Sequence, residues 1–100
     1  MVNLEKVSGF DWDEGNSRKI VVKHDVTQAE AEQIFLNEPL VLAEDETHSG
    51  GENRFHALGQ TDDRRRLLVA FTLRGEETLI RVVSAKDMNR KERARYEQEA

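Results

Sequence analysis

The sequence predicts an α+β domain in which two N-terminal helices precede a four-stranded antiparallel sheet and a C-terminal helix closes the chain. Three features carry this. A capping box at Thr27-Gln28-Ala29-Glu30 opens an apolar stripe of helical spacing. After Pro39 the apolar pattern changes to period two, in short runs separated by turn residues. The last stretch is polar and rich in helix formers. With 100 residues there is room for one core, so residues 1–100 are read as a single domain.

The first helix starts behind Asp13 as cap and runs to about Lys23, although the β-branched Ile20, Val21 and Val22 suit a strand equally well. The second is better defined. Val26 and Ala31 fit a hydrophobic staple around the Thr27 cap, Ala31, Ile34 and Phe35 form the stripe, and Pro39 stops the helix near Asn37. Strands follow over residues 40–44, 54–59, 66–74 and 78–85, with Ser49-Gly50-Gly51, Thr61-Asp62-Asp63 and Gly75-Glu76-Glu77 as the turns of a meander. In the third strand Leu67, Val69, Phe71 and Leu73 share one face and Leu68 and Ala70 the other, which makes it central. The closing helix, about Asn89 to Gln98, has only Ala94 and Tyr96 as apolar anchors and should pack lightly.

Composition removes several chemistries. The chain has no Cys, so disulfides, thiolate zinc sites and cysteine nucleophiles are excluded. No apolar run approaches a membrane span and no signal-peptide core follows the first residues, so a soluble cytoplasmic protein is expected, with no membrane partner. The net charge of -5 hides an asymmetry: residues 1–63 carry -9 and residues 64–100 carry +4. That cationic third suits an anionic partner or an internal attraction between halves.

P-loop, dinucleotide, nucleophile-elbow and zinc-helix signatures are missing. Asp11-x-Asp13 begins like a calcium loop, but Val22 stands where the bidentate Glu belongs, and the acidic run Glu44-Asp45-Glu46 with His48 reads as a solvated hairpin loop. No metal or cofactor is expected. More informative are charges inside strands. Leu79, Arg81, Val83 and Ala85 fall on one face, which puts a guanidinium among apolar neighbours. On the second strand Glu52, Arg54, His56 and Leu58 share a face, grouping an acid, a cation and an imidazole. An Arg81 to Glu52 structural ion pair is the plain alternative to a functional cluster. Trp12 and Phe10 read as core anchors, Arg64-Arg65-Arg66 as a solvated turn, and His24 as a residue at a helix end. Tyr96 divides between packing and a site.

Taken together, Phe10-Asp11-Trp12-Asp13, Lys23-His24-Asp25-Val26, Glu30-Ala31, the Glu44-Asp45 to His48 loop, Gly51-Glu52-Asn53-Arg54, Leu58-Gly59, the run Arg81 to Lys86 and Glu92-Arg93-x-x-Tyr96 stand in one order along the chain. Over about residues 10 to 97 the chain thereby resembles the BrnT toxin family. The resemblance implies a RelE-like architecture and a type II toxin that acts as an endoribonuclease, inhibiting translation and growth in a bacterial cytoplasm. It implies RNA as substrate and a BrnA-like antitoxin as partner, with operator DNA read by the antitoxin and not by the toxin. The residues expected to carry catalysis are Glu52, Arg54, His56, Arg81 and Lys86, with Lys23, His24, Arg93 and Tyr96 as auxiliary or substrate-binding groups.

The chemistry expected is metal-independent: a base takes the RNA 2′-OH proton, the oxygen attacks the adjacent phosphate, and cations stabilise the extra negative charge. Three positions depart from the family pattern. Asp25 replaces a Gly, so a helix ending at positive φ must be rebuilt on a residue that tolerates it better than most. Ile20 replaces an Asn, and Lys86 replaces an Arg, keeping the charge but not the planar bidentate grip. The alternative reading is a catalytically weak or inactive protein-binding module of the same fold.

Overall fold

The computed structural model describes residues 2–44 and 53–100. Its elements run β1 (Gly9–Phe10), α1 (Glu14–His24), α2 (Gln28–Leu36), β2 (Val41–Glu44), β3 (Phe55–Gln60), β4 (Arg66–Arg74), β5 (Leu79–Asp87) and α3 (Arg90–Glu99). The α+β class, the three helices and the β2 to β5 meander agree with expectation. The sheet itself corrects it. It has five strands in the order β1-β5-β4-β3-β2, and β1 joins β5 in parallel, so the sheet is mixed and not purely antiparallel. A two-residue strand has no periodicity to read, which is why sequence pattern passes over it.

Each helix begins with a capping box. Asp13 and Asn16 close the first turn of α1, Thr27 and Glu30 that of α2, and Asn89 and Glu92 that of α3. These reciprocal bonds satisfy amide donors that a first turn otherwise leaves open. α1 ends on Asp25 at φ 54°, with the Asp25 N–H donating to Val21 and Ile20 carbonyls. The left-handed ending is thus kept, not rebuilt.

One sheet face carries Ala57, Leu67, Val69, Phe71, Ile80, Val82 and Ala85, packed on Ile20, Val26, Ala31 and Ile34 of the two N-terminal helices and their link. Phe35 meets both Phe10 and Phe71 edge-on, and Trp12 donates Nε1–H to Glu32 at 2.7 Å while packing on the same core. The other face carries a smaller cluster, Val41, Leu58, Leu68, Met88 and Tyr96, under α3. Tyr96 anchors that helix, whereas Ala94 is exposed. Among the described residues α3 is the one helix on this face, and it lies over a single end of it.

A bulge at Val83 decides which residues of β5 face where. Ala70 pairs with Ser84 but Phe71 pairs with Val82, so Val83 has no partner in β4. The expected face of Leu79, Arg81, Val83 and Ala85 therefore does not exist. Ile80, Val82 and Ala85 point into the helix-covered core, while Arg81, Ser84 and Lys86 share the opposite face.

The Arg64-Arg65-Arg66 run is also not a simple solvated turn. Arg65 donates to Asp87 at 2.7 and 3.1 Å, to Glu30 at 3.1 Å, and to the carbonyls of Asp25 and His24. It ties the end of α1, the start of α2 and the end of β5 together. Arg66 pairs with Glu97 and lies over the Tyr96 ring.

Candidate active site

Beyond α3 the described residues of this face form a trough with a floor of small side chains and charged groups around it. Its register sets out the rows. Ala43, His56, Ala70 and Ser84 lie side by side across β2, β3, β4 and β5, and Thr72 pairs with Arg81 one row further on. Rows on one face are about 7 Å apart along a strand. In the other direction Leu58, Leu68 and Lys86 form the row that α3 covers.

Arg54 and Arg81 lie on either side of Thr72, and all three line one cavity. Thr72 is only 3% exposed. Arg81 turns toward the edge of β5, where Nη2 donates to Asp13 at 2.8 Å and Nη1 lies 3.5 Å from Asp11. The Asn16 amide and the Arg81 guanidinium together hold the Asp13 carboxyl below its ordinary range, and Asp13 in turn raises Arg81. Arg81 is thus a fixed cation.

Lys86 donates to Glu92 of α3 at 2.7 Å. Burial opposes the charge on Glu92, but the Asn89 amide and Lys86 outweigh it, with His56 adding to the same effect, so Glu92 stays ionised below its usual range. His56 and Lys86 are thereby gathered around one carboxylate at the α3 wall. The structure brings together Arg54, His56, Arg81 and Lys86 on one face. Glu52 lies outside the described residues. Among the described residues no group of three or more acidic or His side chains is placed to hold a metal ion, and the acidic loop with His48 lies outside them.

Residues 12–92 match the family model described as the ribonuclease toxin, BrnT, of type II toxin-antitoxin systems. The chain belongs to the BrnT family. No curated protein matches it. As a BrnT member it is a ribonuclease toxin by family, and no helix of its described residues is long and apolar enough to cross a membrane.

Among the residues that vary from the BrnT pattern, Ile20 is buried in the core and Lys86 spends its charge on Glu92. The auxiliary residues lie elsewhere. Lys23 and His24 are exposed at the end of α1, and His24 and Arg93 both add to the lowering of Asp87, which Arg65 dominates. This places His24 and Arg93 near the far end of β5, roughly 17–20 Å along the strand from Arg81. Tyr96 is 2% exposed, with its hydroxyl donating to the Pro39 carbonyl at 2.7 Å. Burial raises that hydroxyl's pKa.

Sequence reading missed the partners. Asp13 and Glu92, which hold Arg81 and Lys86, stand in the motifs that carry the resemblance, but nothing in their spacing joins them to those cations. Thr72 and Arg74 follow the same alternation as Ala70 and were findable on β4. Lys19, which lines the same cavity from α1, was not, because its place depends on how α1 docks against β5.

Proposed function

We propose that this BrnT-family chain cleaves RNA without a metal, in the trough between Arg54, Arg81 and α3, and that a BrnA-like antitoxin neutralises it. The observation that carries this reading is the pair of guanidiniums that line one cavity on either side of Thr72, on the part of the sheet face where no helix of the described residues lies. His56, one row away, takes the 2′-OH proton, with Glu52 as the other candidate base. The 2′ oxygen attacks the adjacent phosphorus, the bond to the 5′ oxygen breaks, and a protonated group completes the leaving hydroxyl. Arg54 and Arg81 stabilise the charge that gathers on the phosphoryl oxygens, and Lys86 supports them from the α3 wall. Lys23, His24 and Arg93 serve as contacts to the RNA backbone, and Tyr96 shapes the α3 end. Operator DNA is read by the antitoxin.

The test is incubation of purified protein with total RNA in excess EDTA, beside Arg81→Ala at equal concentration. Wild type should cleave, and the variant should lose about 10²–10³-fold in rate, as for removal of one donor to a developing oxyanion. Exposed ion pairs contribute little to stability, so Arg81→Ala should keep the wild-type melting transition within about 1 kcal/mol. Equal cleavage by both proteins would remove Arg81 from the chemistry.

A second reading has its own support. Two of the three site cations are already engaged, Arg81 by Asp13 and Asp11 and Lys86 by Glu92. A site with two of its cations engaged in this way suits a weak or inactive module that only binds its partner. Such a protein would co-purify with an antitoxin and leave RNA intact at every concentration.

A further inference from the structure

α1 turns Asn16 and Ile20 into the fold, and Arg18 and Val22, each two positions on, project roughly 200° away, on the side that meets solvent. Along that side lies a shallow groove of about 510 Å³, lined by Glu14, Gly15, Arg18, Lys19, Val22 and Lys23. It is distinct from the trough cavity, although Gly15 and Lys19 border both.

Two features of the groove stand out against the rest of the surface. Val22 is 72% exposed, which leaves a branched apolar side chain in water one turn beyond Arg18 and Lys19. Arg18, Lys19 and Lys23 make no ion pair among the described residues. Three cations to one carboxylate, Glu14, is the reverse of a chain whose net charge is -5. Between those charges the floor is apolar, made of Val22 and the methylene stems of the basic side chains.

We infer that this groove docks an acidic amphipathic helix of another protein, which sets an apolar side chain on Val22 and carboxylates against Arg18, Lys19 and Lys23. From Glu14 to Lys23 the groove follows the α1 axis for about 13 Å, room for two to three turns of such a helix. Charge steers the encounter and the apolar contact holds it. A second copy of this chain fits badly, because two such faces bring six cations to two carboxylates in any register. An RNA strand would use the cations but leave Val22 in water, and no ring lines the groove for a base to stack on. Lys19 also borders the trough and Lys23 belongs to the proposed RNA path, so a helix lying here stands in the way of RNA. That consequence rests on the RNA-cleaving reading; the docking itself does not.

The probe is a synthetic helical peptide of Glu, Ala and Leu, with Leu at i, i+4 and i+7 along one face. Its controls are the same composition scrambled and the same pattern with Lys in place of Glu. Binding is followed by fluorescence anisotropy against salt for wild type, Arg18→Glu and Val22→Ser, with a melting curve for each. Both side chains are exposed, so the variants should fold. The acidic peptide should bind wild type in preference to both controls, and each variant should weaken it about tenfold. Salt dependence should flatten for Arg18→Glu and persist for Val22→Ser. No binding, equal binding of the scrambled peptide, or indifference to Val22→Ser overturns the docking. So does a 2′-O-methyl hexanucleotide that binds here in place of the peptide, weakened by Arg18→Glu and not by Val22→Ser, or a dimer in sedimentation that Val22→Ser dissolves. RNA cleavage by the wild type, measured separately, decides the catalytic reading.

Discussion

Arg65 gathers three elements with one guanidinium. Its fork donates to two carboxylates and two carbonyls, and both carboxylates, Asp87 through Arg65 first and Glu30 through Thr27 and Arg65 against the cost of burial, are held below their ordinary range. Arg65→Ala should cost about 2 kcal/mol, discounted for partial exposure, and Arg65→Lys should recover little of it because an ammonium cannot span that set. Urea unfolding of the two variants checks this, and equal stability of Arg65→Lys and wild type would refute the clamp. In sequence the same arginine reads as one of a solvated run, since its side-chain partners Glu30 and Asp87 lie 35 and 22 residues away. Arg81 stands out in sequence for the opposite reason, a charge inside an apolar strand; Glu52, the carboxylate weighed as its structural partner, lies outside the described residues, and the described carboxylates that hold it are Asp13 and Asp11. Local chemistry flags a residue; only the fold names its partner.

At the scale of elements, what could be read from sequence depended on whether an element carries its own signal. α2 announced itself through its capping box and staple, and β4 through strict alternation, and both appear where they were placed. β1 and the Val83 bulge have no such signature, and both are set by neighbouring strands. The packing of α2 on β3 rests on Gly59, where an added Cβ would lie 2.9 Å from Ile34 Cβ and 3.1 Å from the Ile34 carbonyl oxygen. Helix backbone cannot yield as a flexible side-chain tip can. Gly59→Ala should therefore destabilise by about 1–3 kcal/mol, read from the urea midpoint. A midpoint at or above that of wild type would show that α2 has room to move.

For the whole molecule, the acidic excess is distributed so that several carboxylates hold the layers together. Glu30 and Asp87 brace the N-terminal helices to β5, and Glu92 braces α3 to the trough. Their pKa values lie below the ordinary 4.5 for Glu and 3.8 for Asp. A lowered carboxyl contributes its full stability above the unfolded value and loses it as pH falls through the folded one. Stability should therefore hold from pH 7 to about 5 and drop steeply below about 4, with the Glu30→Gln, Asp87→Asn pair showing a shallower acid limb in urea melts. A midpoint that rises with acid would contradict it. The site was legible at this scale only in outline. Alternation along β3 grouped Arg54 with His56, but joining them to Arg81 and Lys86 needed the sheet register, and Lys19 needed the docking of α1.

The unpaired Val83 bears on which changes of chain length the domain can absorb. Arg81 and Lys86 are five positions apart, an odd separation that a regular strand would send to opposite faces, yet they share one. β5 therefore holds one spare residue. Losing a residue between them straightens the strand and leaves both cations where they are, whereas the same loss within β4, which has no residue to spare, drives half of that strand's polar face into the core. Relatives of different length are expected to have gained or lost that residue in β5 and to keep the length of β4.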